Sequence, residues 1–239
     1  MQARSRLQYD QVPIPTIVPR LSALSKDQAR LWPELKPGVT LGFVLYGGTG
    51  ISLHLGHRPA LDFHFFRSRR LDRAALRKAF AFIDKAAVVQ DTDDMLSVQV
   101  SGRGRNAVKV AFQGGLTCGR VGDPLLTEDG VLQVASLDDL MAHRLRVVLD
   151  GAEKKDYEDI GAMIRAGCSL SRGLASAQAL FGKGFQAAAA LKALVSLGAV
   201  ATLSRADRST VVSAARVVGI LPSVRQRSRS LAISLVGDR

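Results

Sequence analysis

The sequence predicts an α+β fold in which a mixed sheet with flanking helices is followed by a helical part. Three observations support this prediction. Runs of β-branched and aromatic residues are confined to the first half of the 239-residue chain, helical periodicity dominates from Ser136 onward, and 47% hydrophobic with 23% charged residues is the composition of a globular protein. This segregation predicts an α/β domain over residues 1–128 and a helical domain over residues 129–239 that ends in a basic tail, in which we expect little order.

Each element of the first half is predicted from hydrophobic periodicity and turn residues. A short amphipathic helix is expected over residues 21–35, with Ser25 as a candidate cap. Further helices are expected from Ile51 and over residues 71–85, where the apolar positions recur three and four residues apart. The predicted strands cover residues 39–46, 60–66, 95–100 and 107–112, and the turn-rich residues 101–106 join the last two as a hairpin.

The second half is predicted to be helical throughout. Ser136 is placed to cap the first of these helices, and Asp139 lies near the positive end of its dipole. The predicted helices cover residues 137–150, 155–166, 171–181, 185–197 and 205–218.

The charge of the chain favours a polyanionic partner. With 33 Lys and Arg against 21 Asp and Glu, the formal net charge is +12, which attracts nucleic acids and nucleotides, although a basic surface also serves solubility alone. No apolar run is long enough to span a membrane, and Cys118 and Cys168 form no C-x-x-C pair. We therefore expect a cytoplasmic protein without a membrane partner.

A glycine turn between a strand and a helix is the first candidate for chemistry. Gly47, Gly48 and Thr49 follow a buried strand, and their backbone N–H groups can hold phosphate oxygens because glycine permits close approach. Asp62 returns on the next strand, where a carboxylate can hold a hard divalent cation beside the same phosphates. The pattern predicts that phosphate and metal meet at this point.

Several segments in a fixed order resemble a known family. They are the G-G-T turn, L-G-H-R at residues 55–58, D-F-H-F-F at 62–66, V-K-V-A-F at 108–112, V-A-S-L-D-D-L at 134–140 and K-D-Y-E-D-I at 155–160. Over about residues 41–180 the chain resembles the AbiEii/AbiGii-type nucleotidyltransferase toxins of the DNA polymerase beta-like nucleotidyltransferase superfamily. The resemblance implies a nucleotidyltransferase-like domain followed by a helical domain.

The resemblance also implies a function. Such a protein transfers a nucleoside monophosphate from an NTP to an RNA acceptor, a tRNA 3′ end in characterised relatives, with Mg²⁺ or Mn²⁺ as cofactor. It acts as the toxin of a toxin–antitoxin pair in abortive infection, so a cognate antitoxin is an expected partner.

The resemblance assigns the site residue by residue. The residues implied to bind the nucleotide phosphates are Gly47, Gly48, Thr49, Arg58 and Asp159, the last by orienting Lys155 or Arg144. The implied catalytic residues are Asp62, His64, Arg144, Lys155 and Asp156, of which Asp62 and His64 ligate the metal.

The sequence departs from the family pattern at the metal ligands. The second aspartate of D-x-D is His64, Ala111 stands where many superfamily members place a third carboxylate, and Arg144 replaces the usual lysine. An imidazole is neutral and suits Mg²⁺ less well than a carboxylate does. A weakened relative that binds nucleotide or RNA without transfer is therefore the alternative to a working transferase. A kinase-like or nucleotide-hydrolysing enzyme, or a basic adaptor with no nucleotide pocket, also stays open.

The other polar residues near the candidate site have structural explanations that compete with a functional role. His54 and His57 are expected to be ordinary surface or core histidines. Arg58 either pins the turn by bonding backbone carbonyls or Asp62, or touches substrate. The arginines of residues 67–70 and Arg73 form either a solvated face or an RNA track near the metal site. Asp91, Asp93 and Asp94 are expected in a loop without a role.

Overall fold

A computed structural model describes residues 14–59, 61–101, 107–196 and 202–234. The strands are β1 (Thr16–Ile17), β2 (Val44–Tyr46), β3 (Asp62–Phe66), β4 (Ala87–Thr92), β5 (Met95–Val100), β6 (Val108–Gln113), β7 (Leu125–Thr127) and β8 (Gln133–Val134). The helices are α1 (Lys26–Leu31), α2 (Pro37–Thr40), α3 (Gly47–Leu55), α4 (Arg73–Ala79), α5 (Leu137–Gly151), α6 (Lys154–Arg165), α7 (Leu170–Phe181), α8 (Ala187–Ser196) and α9 (Arg205–Arg216). None of the helices in these ranges is long and apolar enough to cross a membrane.

The strands form one mixed sheet in the order β1-β7-β8-β2-β3-β6-β5-β4. β3 lies near its middle, antiparallel to β2 and parallel to β6. β5 pairs antiparallel with both β6 and β4, so the predicted hairpin of β5 and β6 is present, although residues 102–106 of its turn lie outside the described residues.

Alternation along β3 separates the core from the site. Phe63 and Phe65 are 0% and 1% exposed and pack with α4 and the aromatic residues of one sheet face. Asp62 and His64 occupy the alternate positions and therefore point to the opposite face. One strand thus contributes both to a hydrophobic core and to a polar surface.

The helices of the second half cover the face to which Asp62 and His64 point. Leu140 and Leu145 of α5, Ile160 of α6 and Leu174 of α7 share one buried cluster with Val44 and other sheet residues. The predicted class, a mixed sheet with helices followed by a helical part, is confirmed. β8 follows residue 128 in sequence and pairs with β2, so the sheet continues beyond the expected domain boundary and the purely helical part begins at Ser136.

Several predicted elements differ from the structure. The helix expected over residues 21–35 is interrupted, since only Lys26–Leu31 is α-helical and short 3-10 turns cover Leu21–Ala23 and Trp32–Leu35. The strand expected from residue 39 begins only at Val44, because Pro37 starts α2, which ends at Thr40. The helix expected from Ile51 already begins at Gly47. The helix expected over 71–85 ends at Ala79, because Phe80 leaves helical geometry and is buried in the core.

Two further predictions, for the aspartates near residue 91 and for the basic tail, also differ from the structure. Asp91 lies on the edge strand β4 and pairs with Arg73 rather than lying in a loop. The described part of the basic tail is ordered, because its backbone pairs with Arg120 at Ser228. Ala60 and Leu197, expected at the ends of a strand and a helix, lie outside the described residues.

Candidate functional site

A cavity of about 300 Å³ lies between the start of α3, the start of β3 and the helices α5 and α6. Every residue predicted for the site except Asp159 lines it. The glycine turn, Arg58 and Arg144 lie against one another and form part of the lining that is here called the basic wall. Apolar side chains such as Leu61, Phe66 and Val147 also line the cavity.

The glycine turn presents free backbone donors to the cavity. Gly47 has a φ of 72°, which favours glycine, and it starts the nine-residue helix α3 without a side-chain cap from Tyr46. The first N–H groups of a helix have no partner inside the helix, and the helix dipole adds positive potential there. An anion is therefore favoured at Gly47, Gly48 and Thr49.

Gly48 also makes room for two guanidinium groups. A Cβ at this position would overlap Nη2 of Arg58 and lie 2.9 Å from Nη2 of Arg144. The glycine turn and the two arginines are thus packed directly against each other. A phosphate at the turn would meet backbone N–H groups and guanidinium groups together.

The hydroxyl of Thr49 has a structural partner. It donates a hydrogen bond to the backbone carbonyl of Asp62, and the residue is buried. This bond ties the start of α3 to the start of β3. Only the backbone N–H of Thr49 is therefore available for phosphate.

Asp159 holds the basic wall together from behind the cavity. Its carboxylate accepts two hydrogen bonds from Arg58, at 2.7 and 2.9 Å, and lies 2.6 Å from Nη2 of Arg144 and 2.7 Å from Nε2 of His57. Burial alone would raise the pKa of Asp159, but the bonds from His57 and Arg58 and the charge of Arg144 outweigh it and lower the pKa to about 2. Arg58 therefore pairs with Asp159 and not with Asp62.

Arg144 is held from a second side by Asp156. Its Nη1 donates to Asp156 Oδ1 at 2.6 Å, and the same aspartate accepts the backbone N–H of Glu153 at the start of α6. The expected contact between Asp159 and Arg144 is present, whereas Lys155 pairs with Glu153 at 2.8 Å. Lys155 is half-exposed and stands at the rim of the cavity.

Asp62 and His64 face the cavity as a hydrogen-bonded pair. Oδ2 of Asp62 and Nε2 of His64 are 2.9 Å apart, and the two side chains are 35% and 36% exposed. Burial raises the pKa of Asp62, but the hydrogen bond from His64 and the charges of His64, Lys155 and Lys109 outweigh it and bring the pKa below its usual value. The carboxylate is therefore ionised at neutral pH.

The donor set at this pair fits one cation rather than two. Lys109 of β6 lies in register with Asp62, and Ala111 lies in register with His64, so the neighbouring strand adds no carboxylate. In the ranges that the structure describes, no three His, Cys, Asp or Glu side chains converge on one point. One divalent ion held by Asp62 and His64 would take its other ligands from the phosphates of a nucleotide, as Mg²⁺ and Mn²⁺ sites commonly do.

His143 lines the cavity and was missed by the sequence reasoning. Its ring centroid lies 4.7 Å from that of Tyr46, 5.7 Å from Phe66 and 5.1 Å from Phe181. Burial, and after it the charge of Arg144, lowers the pKa of His143 to about 4. Its position three residues after Leu140 on α5 is the signal that would have placed it on the inward face.

The two histidines at the end of α3, His54 and His57, have structural partners. His54 contacts the carbonyl of Ala135 at 2.9 Å, and burial lowers its pKa. His57 belongs to the Asp159 cluster. Neither lines the cavity, in keeping with the interpretation of both as ordinary histidines.

The fold and the cavity together define a nucleotidyltransferase-like protein. Residues 34–209, well over half of the chain, match the family described as nucleotidyl transferase AbiEii toxin of type IV toxin–antitoxin systems. The chain belongs to this family of nucleotidyltransferase toxins. No curated protein matches the chain.

Proposed function

We propose that the cavity binds an NTP and transfers its nucleoside monophosphate to a hydroxyl at the end of an RNA, with tRNA as the expected acceptor. The observation that carries the proposal is the convergence of the glycine turn, Arg144 and Asp62 on one cavity. The N–H donors of the glycine turn and of the two arginines suit phosphate oxygens, and the apolar side chains of the lining suit the nucleoside.

The reaction assigns a role to each group. The N–H groups of the glycine turn, with Arg144 and Lys155, hold the phosphates, while Asp62 orients the acceptor hydroxyl. The hydroxyl oxygen bonds to the α-phosphorus and loses its proton to water, and the bond to the β-phosphate breaks so that pyrophosphate leaves. When bound at Asp62 and His64, Mg²⁺ or Mn²⁺ would neutralise phosphate charge, and the imidazole favours Mn²⁺.

A second candidate function is binding without transfer. Two observations favour it: the pair that would hold metal has one carboxylate, and Arg58 and Arg144 are already paired with Asp159 and Asp156. Such a protein would hold nucleotide or RNA with little turnover.

An incorporation assay separates the two candidates. Purified protein is incubated with total tRNA and each labelled NTP, in Mg²⁺ and separately in Mn²⁺, beside Asp62→Ala and His64→Asp. We expect label on RNA that is stronger in Mn²⁺ and abolished in Asp62→Ala. Label that appears only with His64→Asp would favour the binding protein, and silence in all three would overturn transfer to these acceptors.

We further infer that the protein is the toxin half of a toxin–antitoxin pair in the cytoplasm, with a cognate antitoxin as partner. Membership of the toxin family supports this role. Expression of the wild-type chain without its neighbouring genes is expected to stop growth, and Asp62→Ala is expected to relieve the arrest. Equal arrest by both would argue against toxicity through this cavity.

A further inference from the structure

The C-terminal segment 225–231, here called the strap, is bound to the body of the protein by its backbone. The N–H of Arg120 donates to the carbonyl of Ser228 at 2.9 Å, and the N–H of Arg227 donates to the carbonyl of Arg120 at 2.8 Å. Leu231 at the end of the strap is 0% exposed. The strap lies beyond residues 34–209, so it is an addition to the part that matches the family.

The strap reaches the loop that follows β3. The hydroxyl of Ser68 donates to the carbonyl of Arg229 at 3.1 Å and accepts the N–H of Leu231 at 3.0 Å. Arg69 and Arg70 follow Ser68 directly in this loop. The two segments, far apart in sequence, therefore bring their arginines onto one surface.

Four arginines of this surface are exposed and unneutralised. They are Arg69, Arg70, Arg225 and Arg229, here called the arginine rim, and none forms an ion pair within the described ranges. Neighbouring arginines differ, because Arg73 pairs with Asp91 and Arg227 pairs with Asp123. Backbone hydrogen bonds hold the rim together against the repulsion of its own charges.

We propose that the arginine rim binds the phosphate backbone of an RNA whose end enters the cavity. The inference rests on the proposed function for its acceptor. β3 carries Asp62 at its start and leads into the rim loop at its end, about 13 Å further along at the usual rise per strand residue. One RNA molecule can therefore contact both places.

The chemistry of the rim favours RNA over an acidic protein partner. Protein interfaces have apolar centres, whereas interfaces with nucleic acids are polar and strongly positive. The only large apolar side chain of the strap, Leu231, is buried, and the rim offers guanidinium groups that match phosphate oxygens. These contacts position an RNA without reading its sequence.

The test measures tRNA binding by fluorescence anisotropy over a range of NaCl concentrations. The rim variant carries R69Q, R70Q, R225Q and R229Q. A control variant loses the same charge from other exposed positions, through K26Q, K36Q, K183Q and K192Q. We expect the rim variant to lose affinity at least tenfold near 0.15 M salt with a shallower salt dependence, and the control to change less than threefold.

The outcomes separate the rim from the proposed function. NTP binding is measured on the same proteins and is expected to be unchanged in the rim variant. Equal losses of tRNA affinity in the rim and control variants would overturn the rim while leaving the transferase intact. Binding of tRNA that depends on the rim, without any binding of NTP, would instead contradict the transferase proposal and support the RNA-binding role of the rim.

A partner of a different class gives its own result. Wild-type protein that binds polyglutamate more tightly than tRNA, with loss in the rim variant, would assign the surface to an acidic protein and overturn the proposal. Arginine-to-lysine changes at the four rim positions keep the charge and are expected to restore most of the tRNA affinity.

Discussion

Asp159 is the residue on which the basic wall of the cavity depends. It is 0% exposed, and three cationic or donor side chains, Arg58, Arg144 and His57, converge on it. We predict that Asp159→Asn lowers the free energy of unfolding by roughly 2–4 kcal/mol, because it leaves buried positive charge without its partner. Urea denaturation measures the change.

A surface pair provides the control for Asp159. Asp150 is 65% exposed and pairs with Arg146 one turn away on α5, so Asp150→Asn should cost less than about 1 kcal/mol. Equal costs at the two positions would contradict the role given to Asp159.

Because the pKa of folded Asp159 is about 2, below the usual value near 3.8, its contribution to the free energy of unfolding is complete above about pH 4 and is lost as the pH falls toward 2.

We predict that His143 adds a second pH dependence of stability, in the same direction as that of Asp159 but caused by burial rather than by charged partners. Its pKa is about 4 in the folded chain against 6.5 for a free histidine, so the unfolded chain binds the proton more tightly. Stability from this group is complete above about pH 6.5 and falls by up to about 3 kcal/mol toward pH 4. His143→Phe, which suits the aromatic surroundings, is expected to flatten much of this slope in denaturation curves between pH 4.5 and 7.5.

His54 sets the limit of that comparison. Burial also lowers its pKa, so part of the slope should survive in His143→Phe. An unchanged slope in the variant would show that His143 is not the group that titrates.

Gly48 tests the contact between the glycine turn and the basic wall. A methyl group there would overlap Nη2 of Arg58, which Asp159 holds in place, so Arg58 would have to give up that hydrogen bond. We predict that Gly48→Ala lowers the free energy of unfolding by roughly 1–3 kcal/mol and binds NTP at least tenfold more weakly. Gly184→Ala, where a Cβ meets nothing within 4 Å, is the control and should change neither quantity.

At the scale of elements, the strap depends on a glycine. Gly119 has a φ of 66°, and a Cβ there would overlap Gln226 and the carbonyl of Ser228. Gly130 has a φ of 67° with nothing within 4 Å. We predict that Gly130→Ala costs only the backbone strain, roughly 1–2 kcal/mol, whereas Gly119→Ala costs more and also weakens tRNA binding.

Proteolysis tests the same element directly. Limited trypsin digestion of Gly119→Ala is expected to cut first at the arginines of the strap, because a displaced segment is cleaved more readily. Identical digestion of the two glycine variants would contradict the packing described for the strap.

The predictability of the elements follows from local signals. Each predicted helix of the second half is present to within a few residues, because a 3.6-residue apolar period and serine caps such as Ser136 are local in sequence. The first half was harder. Pro37 and Phe80 redirect the chain through turns and core contacts, and the pairing of strap and Arg120 joins residues over a hundred positions apart.

The sequence predicted which residues lie together at the cavity, but not how they bond to one another. Gly48, Asp62 and Arg144 were expected together because the order of the family's motifs indicates which elements meet, and all three line the cavity. The pairing of Arg58 with Asp159 and the inward position of His143 depend on the packing of α5 and α6, which no motif specifies. The arginine rim likewise exists only once the tail is folded.

At the scale of the whole molecule, the positive charge that gives the chain its net +12 is compensated in one place and not in another. Asp156 and Asp159 neutralise the arginines of the cavity wall, whereas the rim arginines remain without carboxylate partners in the described ranges. The cavity is therefore suited to selective binding of one nucleotide, and the rim to salt-dependent binding of a long polyanion.

The central claim is that one cavity holds the NTP phosphates beside Asp62. The most direct test titrates a non-hydrolysable NTP analogue in Mn²⁺ into wild type, Gly48→Ala and Asp62→Ala by isothermal calorimetry. We predict one nucleotide per chain for wild type and at least tenfold weaker binding in both variants. Equal affinity in all three proteins, or no binding to wild type at millimolar nucleotide, would contradict the claim.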